Sequence, residues 1–172
     1  TLDEVIYQKV GFLNNFTHIY IGRQKPNVLK KIRRNLKKNR SEVDYPNSWK
    51  LVKKNKKYFY QDDKNKIILN SKNIHSNGLL ENVCHAIKIA LDLKINKKVI
   101  EKTIPKIIFE GRFQYLHKGK IKNRLHQNEK IMIDGAHAEV DAKNLSDYLK
   151  SIKIPRYGIW AMMKNKEPDL FI

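Results

Sequence analysis

Two short runs carry the residue types most capable of chemistry. They are Gly111-Arg112-Phe113-Gln114 and Asp134-Gly135-Ala136-His137. Lys130–Ile133 reads as a strand, which places Asp134 at its carboxyl end. In open α/β sheets that is where ligands bind. Gly135 permits a close turn there, and His137 falls near the start of the next helix. A carboxylate in this position can accept hydrogen bonds from sugar hydroxyls. An imidazole or a guanidinium beside it can reach phosphate oxygens, the guanidinium through its planar fork. Each residue also has an ordinary reading. A strand-end Asp is more often a helix cap than a ligand contact. An Arg after Gly more often makes a salt bridge, and a lone His is more often structural. Taken singly, none of them names a function.

The elements that must position these runs follow from periodicity. Residues 1–11 read as a helix, with capping-box spacing between Thr1 and Glu4. Thr17–Ile21 reads as a strand ended by Gly22, and Pro26 suits the first turn of a helix with Val28, Ile32 and Leu36 on one face. Trp49–Val52, Tyr58–Tyr60 and Ile67–Leu69 predict a small meander. A helix over 78–93 carries Leu80, Val83, Ile87 and Leu91 on one stripe, and a second over 97–104 should stop at Pro105. From Gly111 the pattern restarts with a strand at Phe113–Leu116 and a polar turn region over 117–129. The strand 130–133, a helix over 139–152 with Val140, Leu145, Tyr148, Leu149 and Ile152, and a strand at Ile159–Met163 complete it. The expected class is α/β, with a boundary near residue 109 and the opening of a doubly wound domain after it.

Composition narrows the partners. The 172 residues carry 36 Lys and Arg against 17 Asp and Glu, a net charge of +19. The basic residues run evenly through helices, turns and loops beside many Asn and Ile, which argues for a lysine-coated surface over a dedicated nucleic-acid binder. The field would still draw in anionic small molecules. One cysteine, Cys84, excludes a disulfide within the chain and suits a reducing, cytoplasmic setting. No apolar run is long enough to cross a bilayer. The chain lacks a starting Met and stops on Phe171-Ile172, so both ends read as cut and a fragment is expected.

The motifs in order resemble the folylpolyglutamate/dihydrofolate synthase family of the Mur ligase superfamily. That family has a Thr-Leu-Glu-Glu-Ile-Ala-x-Glu-Lys-Ala-Gly-Ile helix, similar to Thr1–Phe12 here, then a strand ending Ile-Gly-x-Gln, similar to Ile21–Gln24. A Glu-Asn-Ala helix is matched by Glu81-Asn82-Val83, a Gly-Arg-Phe-Gln motif by 111–114, and the first four residues of Asp-Gly-Ala-His-Asn by 134–137. A Lys-Asp-Lys-Asp-like loop is matched by Lys164-Asn165-Lys166-Glu167. The resemblance covers essentially the whole chain. It implies that 1–108 ends a central ATPase domain and that 109–172 begins a Rossmann-like C-terminal domain.

It also implies an ATP- and Mg²⁺-dependent ligase, acting as a monomer, that joins L-glutamate to dihydropteroate or folyl-glutamates through an acyl phosphate. By the same resemblance Asn82 contacts the nucleotide and Arg112 crosses the domain interface to its phosphates. Asp134 binds the nucleotide at its sugar, and His137 lies near the phosphates. Lys9 corresponds to a lysine carbamylated in the family, a modification that turns a cation into an oxygen ligand for Mg²⁺. Ala138 stands where the family has Asn, Gln8 where it has an acid, and Val83 where it has Ala. No Gly-x-x-Gly-Lys-[Ser/Thr] loop is present, so the chain alone is not expected to be a competent ligase. Three rival readings are another Mur-type ligase of cell-wall precursors, a degenerate family member with a scaffolding role, and a basic, non-catalytic nucleic-acid-binding module.

Overall fold

The computed structural model describes residues 1–13, 17–37, 41–70, 72–164 and 168–170. Helix α1 (Leu2–Val10) starts at the expected capping box, with the Thr1 hydroxyl accepting from the Glu4 N–H at 3.3 Å. Strand β1 (Ile19–Tyr20) and strand β2 (Val43–Asp44) pair in parallel, with helix α2 (Pro26–Leu36) as the crossover between them. Pro26 opens α2 where its missing N–H is not needed. The buried trio Ile19, Ile21 and Leu36 closes this unit, joined by Leu29 and Ile32. Leu29 therefore supplies the packing expected of Val28. Lys31 of α2 meets Asp3 of α1 at 2.7 Å.

The expected meander is a three-stranded antiparallel sheet: β3 (Lys50–Lys54), β4 (Lys57–Gln61) and β5 (Lys66–Ile68). Asn55 and Lys56 turn the first hairpin with φ of 49° and 61°, the left-handed pair that a tight two-residue connection demands. The pleat then sends Leu51, Tyr60 and Ile67, which stand opposite one another, to the same face. That face packs on helix α3 (Asn77–Asp92), which offers Leu80, Val83, Cys84 and Ile87. Trp49, Leu69, Ile100 and Ile104 complete the core. Ser76 caps α3 by accepting from the Leu79 N–H, and Asn96 caps helix α4 (Lys97–Thr103). Pro105 lies in a 3-10 turn at Ile104–Lys106 that finishes α4.

After residue 109 the chain forms an antiparallel pair, β6 (Gln114–Leu116) with β7 (Ile131–Ile133), followed by helix α5 (Glu139–Ser151). Arg156 closes α5 by donating to the Leu149 and Ile152 carbonyls. Two expectations fail here. Val140 is 71% exposed and contributes nothing to the packed stripe. Ile159–Met163 forms no strand, and Ile159 is fully exposed. An apolar run becomes a strand only when a neighbouring ladder satisfies its backbone, and no strand among the described residues pairs with it. Among the described residues no helix is long and apolar enough to cross a membrane.

Candidate functional site

The fold brings the two chemistry-bearing runs into one loop cluster. Gly111 has φ +67° and Phe113 φ +48°, so the chain turns sharply on either side of Arg112. An aromatic residue in the left-handed region is strained, at a cost of about 1–2 kcal/mol. Three contacts hold it. The Gln114 side chain accepts from the Gly111 N–H at 2.8 Å, the Phe113 ring is 5% exposed, and the Asp134 carboxylate accepts from the Phe113 N–H at 2.8 Å. The other Asp134 oxygen accepts from the Ala136 N–H at 2.7 Å, and the Gly135 N–H donates to the Gly111 carbonyl at 2.6 Å. Asp134 is thus 5% exposed at its side chain and ties the two runs together.

Arg112 and His137 meet above this tie. The Arg112 Nη1 lies 3.2 Å from the Asp141 carboxylate and 4.0 Å from Asp134. His137 Nδ1 lies 3.9 Å from the same Asp141 oxygen and 2.9 Å from the Gly135 carbonyl. A carbonyl only accepts, so that bond places a proton on Nδ1 and leaves Nε2 for an outside partner. Both groups stand over the first turn of α5. Its N-cap, Ala138, makes no side-chain cap, and Glu139 and Asp141 are the acids in that turn. A half-exposed imidazole and a third-exposed guanidinium at a helix N-terminus are suited to polyanionic oxygens.

Aromatic packing holds the neighbours of this cluster. His75, just before the Ser76 cap of α3, lies 5.0 Å from the Tyr148 ring and 5.8 Å from the Tyr115 ring. The Tyr115 and Tyr148 hydroxyls share a hydrogen bond of 2.9 Å, and burial, reinforced by that bond, pushes the Tyr148 phenol above its ordinary range. Burial likewise pulls His75 below the usual imidazole range. A Cβ on Gly78 would lie 3.5 Å from the Asn144 amide of α5. The start of α3 is therefore packed against β6 and α5.

The remaining expected residues lie elsewhere. Asn82 is exposed on α3, and Lys9 is exposed in the last turn of α1. Among the described residues no hydrogen bond or ion pair joins either to the Arg112 cluster. Lys164-Asn165-Lys166-Glu167 falls largely outside the described residues. Other partnerships carry no signal in the sequence. Arg23 of the Ile21–Gln24 run lies 3.8 Å from Glu81 and 5.5 Å from the centre of the Trp49 ring, linking that run to the Glu81-Asn82-Val83 turn. Lys88 bridges Asp44 at 2.9 Å and Asp92 at 2.6 Å. His18, Asp44 and Asp92 form the one set of described residues whose ligand atoms lie within 4.8 Å of one another. The Lys88 ammonium already pairs with both of its carboxylates. Asp141 is a site residue that the motifs do not contain, although its spacing of one helical turn after His137 is a usable signal.

Neither a protein-family model nor a curated protein sequence matches the chain. Solved structures do. A folylpolyglutamate synthase from Thermotoga maritima is 21% identical with a TM-score of 0.69, over 87% of this chain and 35% of that one. Folylpolyglutamate synthetase from Lactobacillus casei is 14% identical with a TM-score of 0.66, over 89% of this chain and 40% of that one. The bifunctional folylpolyglutamate synthase/dihydrofolate synthase from Yersinia pestis, complexed with AMPPNP and a Mn ion, is 16% identical with a TM-score of 0.64. It is covered over 33% of its length and covers 86% of this chain. The chain spans 33–40% of the length of these proteins, and over that span its α/β fold is that of the folylpolyglutamate synthases.

Proposed function

We propose that the chain is part of an ATP-dependent ligase that adds L-glutamate to dihydropteroate or to folyl-glutamates. The observation that supports this reading best is the assembly of Arg112 and His137 over one helix N-terminus by the paired runs 111–114 and 134–137. That assembly stands within a fold shared with folylpolyglutamate synthases, one of which was determined with AMPPNP and Mn. We place the boundary between the ATPase domain and the Rossmann-like domain near residue 109.

The residues present fit part of a nucleotide site. Arg112 would meet phosphate oxygens, as would the His137 Nε2 when it too carries a proton, and a preorganised cation there stabilises the charge that spreads over a transferring phosphoryl group. Asp134 has both oxygens engaged by backbone N–H groups, so its main service is to fix the loop that carries Arg112, with any sugar contact added to those bonds. Asn82 is exposed for a nucleotide contact. Lys9 is exposed and open to carbamylation, which would give Mg²⁺ one oxygen ligand; the other ligands of such a site are not among its described neighbours. With ATP bound, the family chemistry is activation of the folate-side carboxylate as an acyl phosphate, and this chain's share is to hold and orient the phosphates while excluding water.

The test is glutamate-dependent ADP release by the full-length protein with dihydropteroate, folyl-monoglutamate or a cell-wall precursor as acceptor. Turnover with either pterin substrate, lowered at least about 100-fold by Arg112→Ala, supports the reading. Turnover only with the cell-wall precursor, or wild-type rates in Arg112→Ala, overturns it.

A further inference from the structure

We infer that Asp141 is a positioning residue that presents Arg112 to the phosphate site and lets Arg112 and His137 stand together; this deepens the ligase reading above and rests on it for its catalytic consequence. The Arg112 guanidinium is a cation and the His137 imidazole becomes one whenever it takes up a second proton; two such groups side by side repel each other, and a carboxylate between them offsets that cost. Asp141 is the group so placed, with one oxygen 3.2 Å from Arg112 Nη1 and 3.9 Å from His137 Nδ1. Asp134 is a weaker candidate. It stands 4.0 Å from the guanidinium, and the oxygen concerned already accepts the Ala136 N–H.

The geometry also gives the direction of the effect. Asp141 approaches Arg112 at Nη1. Both ion pairs of Arg112 among the described residues are made at Nη1, an approach that would leave the Nη2–Nε edge for a planar, bidentate contact. Asp141 is itself fixed, because it lies in the first turn of a 13-residue helix that favours negative charge at that end. The run 134–137 resembles its family counterpart, whereas Asp141 lies beyond it and Ala138 between them provides no cap.

Two measurements test the inference, one of which does not depend on activity. In the ligand-free protein, the rate of Arg112 modification by phenylglyoxal is followed by peptide mass spectrometry, with exposed Arg34 as internal reference. Asp141→Asn should raise the Arg112 rate relative to Arg34 several-fold, and Asp141→Glu should restore part of the protection. Equal rates in wild type and Asp141→Asn overturn the inference. Should the Asn variant fail to fold, Asp141→Ser carries the same expectation.

In the full-length enzyme, Asp141→Asn should lower kcat about tenfold, the scale of a catalytic group misplaced by a fraction of an ångström. The same substitution made on Arg112→Ala should cost nothing further. A role confined to the helix end would give losses that add, and additive losses overturn the inference. Absence of any turnover in the wild-type enzyme would instead overturn the ligase reading, and the phenylglyoxal rates then decide the placement of Arg112 by themselves.

Discussion

The Asp134 carboxylate accepts a hydrogen bond from the Phe113 backbone N–H at 2.8 Å. This bond joins two runs that lie 21 residues apart and helps hold Phe113 at its positive φ. Asp134→Ala removes the acceptor for two N–H donors in a pocket where the side chain is 5% exposed. Hydrogen bonds to a charged group contribute about 1.5–3 kcal/mol each, so the expected loss for the two is about 3–6 kcal/mol. Urea unfolding at neutral pH measures it. A change below about 0.5 kcal/mol, the range of an ordinary surface substitution, would show that Asp134 is not what ties the loops.

Lys88 tethers β2 to α3 through Asp44 and Asp92, with 16% and 18% of the Lys88 and Asp44 side chains exposed. Burial opposes the charge on Lys88, but its bonds to Asp92 and Asp44 outweigh that and hold its pKa above the ordinary value. Burial would also raise Asp44, yet Ser48 and Lys88 hold it below the usual carboxylate range. The signs follow by linkage. The raised lysine contributes stability below its unfolded pKa of about 10.4 and loses it as pH climbs through the folded value. The lowered aspartate contributes above about 3.9 and loses it as pH falls through its folded value. Lys88→Met should therefore destabilise by about 1–3 kcal/mol at pH 7, and its gap from wild type should narrow below about pH 4. A gap of the same size at pH 3 and pH 7 would contradict the ion-pair account.

Much of this architecture is legible locally. The Thr1 capping box, the charged turn between β3 and β4 and the stripe Leu80, Val83, Ile87 on α3 each depend on residues within a turn or two of one another. The two site runs are legible for the same reason, as short strings beside a strand end. What stays hidden depends on distant partners. Arg112 finds Asp141, and Arg23 finds Glu81, only after the sheets have placed them. Val43-Asp44 is a strand of two residues that owes its extended geometry to pairing with β1, and its sequence carries no period. The opposite error at Ile159–Met163 has the same origin, since an apolar run without a neighbouring ladder is not sufficient for a strand.

Cys84 is fully buried beneath the meander, and burial pushes its thiol up to about 12, with the Glu81 carboxylate adding to the effect. Only a thiolate attacks an alkylating or disulfide reagent. The native protein should therefore leave Cys84 unmodified by a chromogenic disulfide at pH 8 over a time in which the urea-unfolded chain reacts completely. Stoichiometric reaction of native protein at the unfolded rate would show that the contact between α3 and the three-stranded sheet opens freely.

Gly111 and Gly135 meet across the loop cluster, and each excludes a side chain for a different reason. Gly111 has φ +67° with open space around it, so Gly111→Ala meets no atom and should cost only the left-handed strain, about 1 kcal/mol. At Gly135 an added Cβ would sit 3.3 Å from the Gly111 carbonyl, the atom that accepts the Gly135 N–H at 2.6 Å. That neighbour is backbone and cannot swing aside, so Gly135→Ala must lengthen the hydrogen bond and shift the turn that carries Arg112. The expected cost is about 1–3 kcal/mol, the range for forcing one extra carbon into a packed site. Gly135→Ala should also raise the phenylglyoxal reactivity of Arg112, while Gly111→Ala should lower stability alone. If both substitutions change the Arg112 rate equally, the close contact at Gly135 is not what sets the position of that side chain.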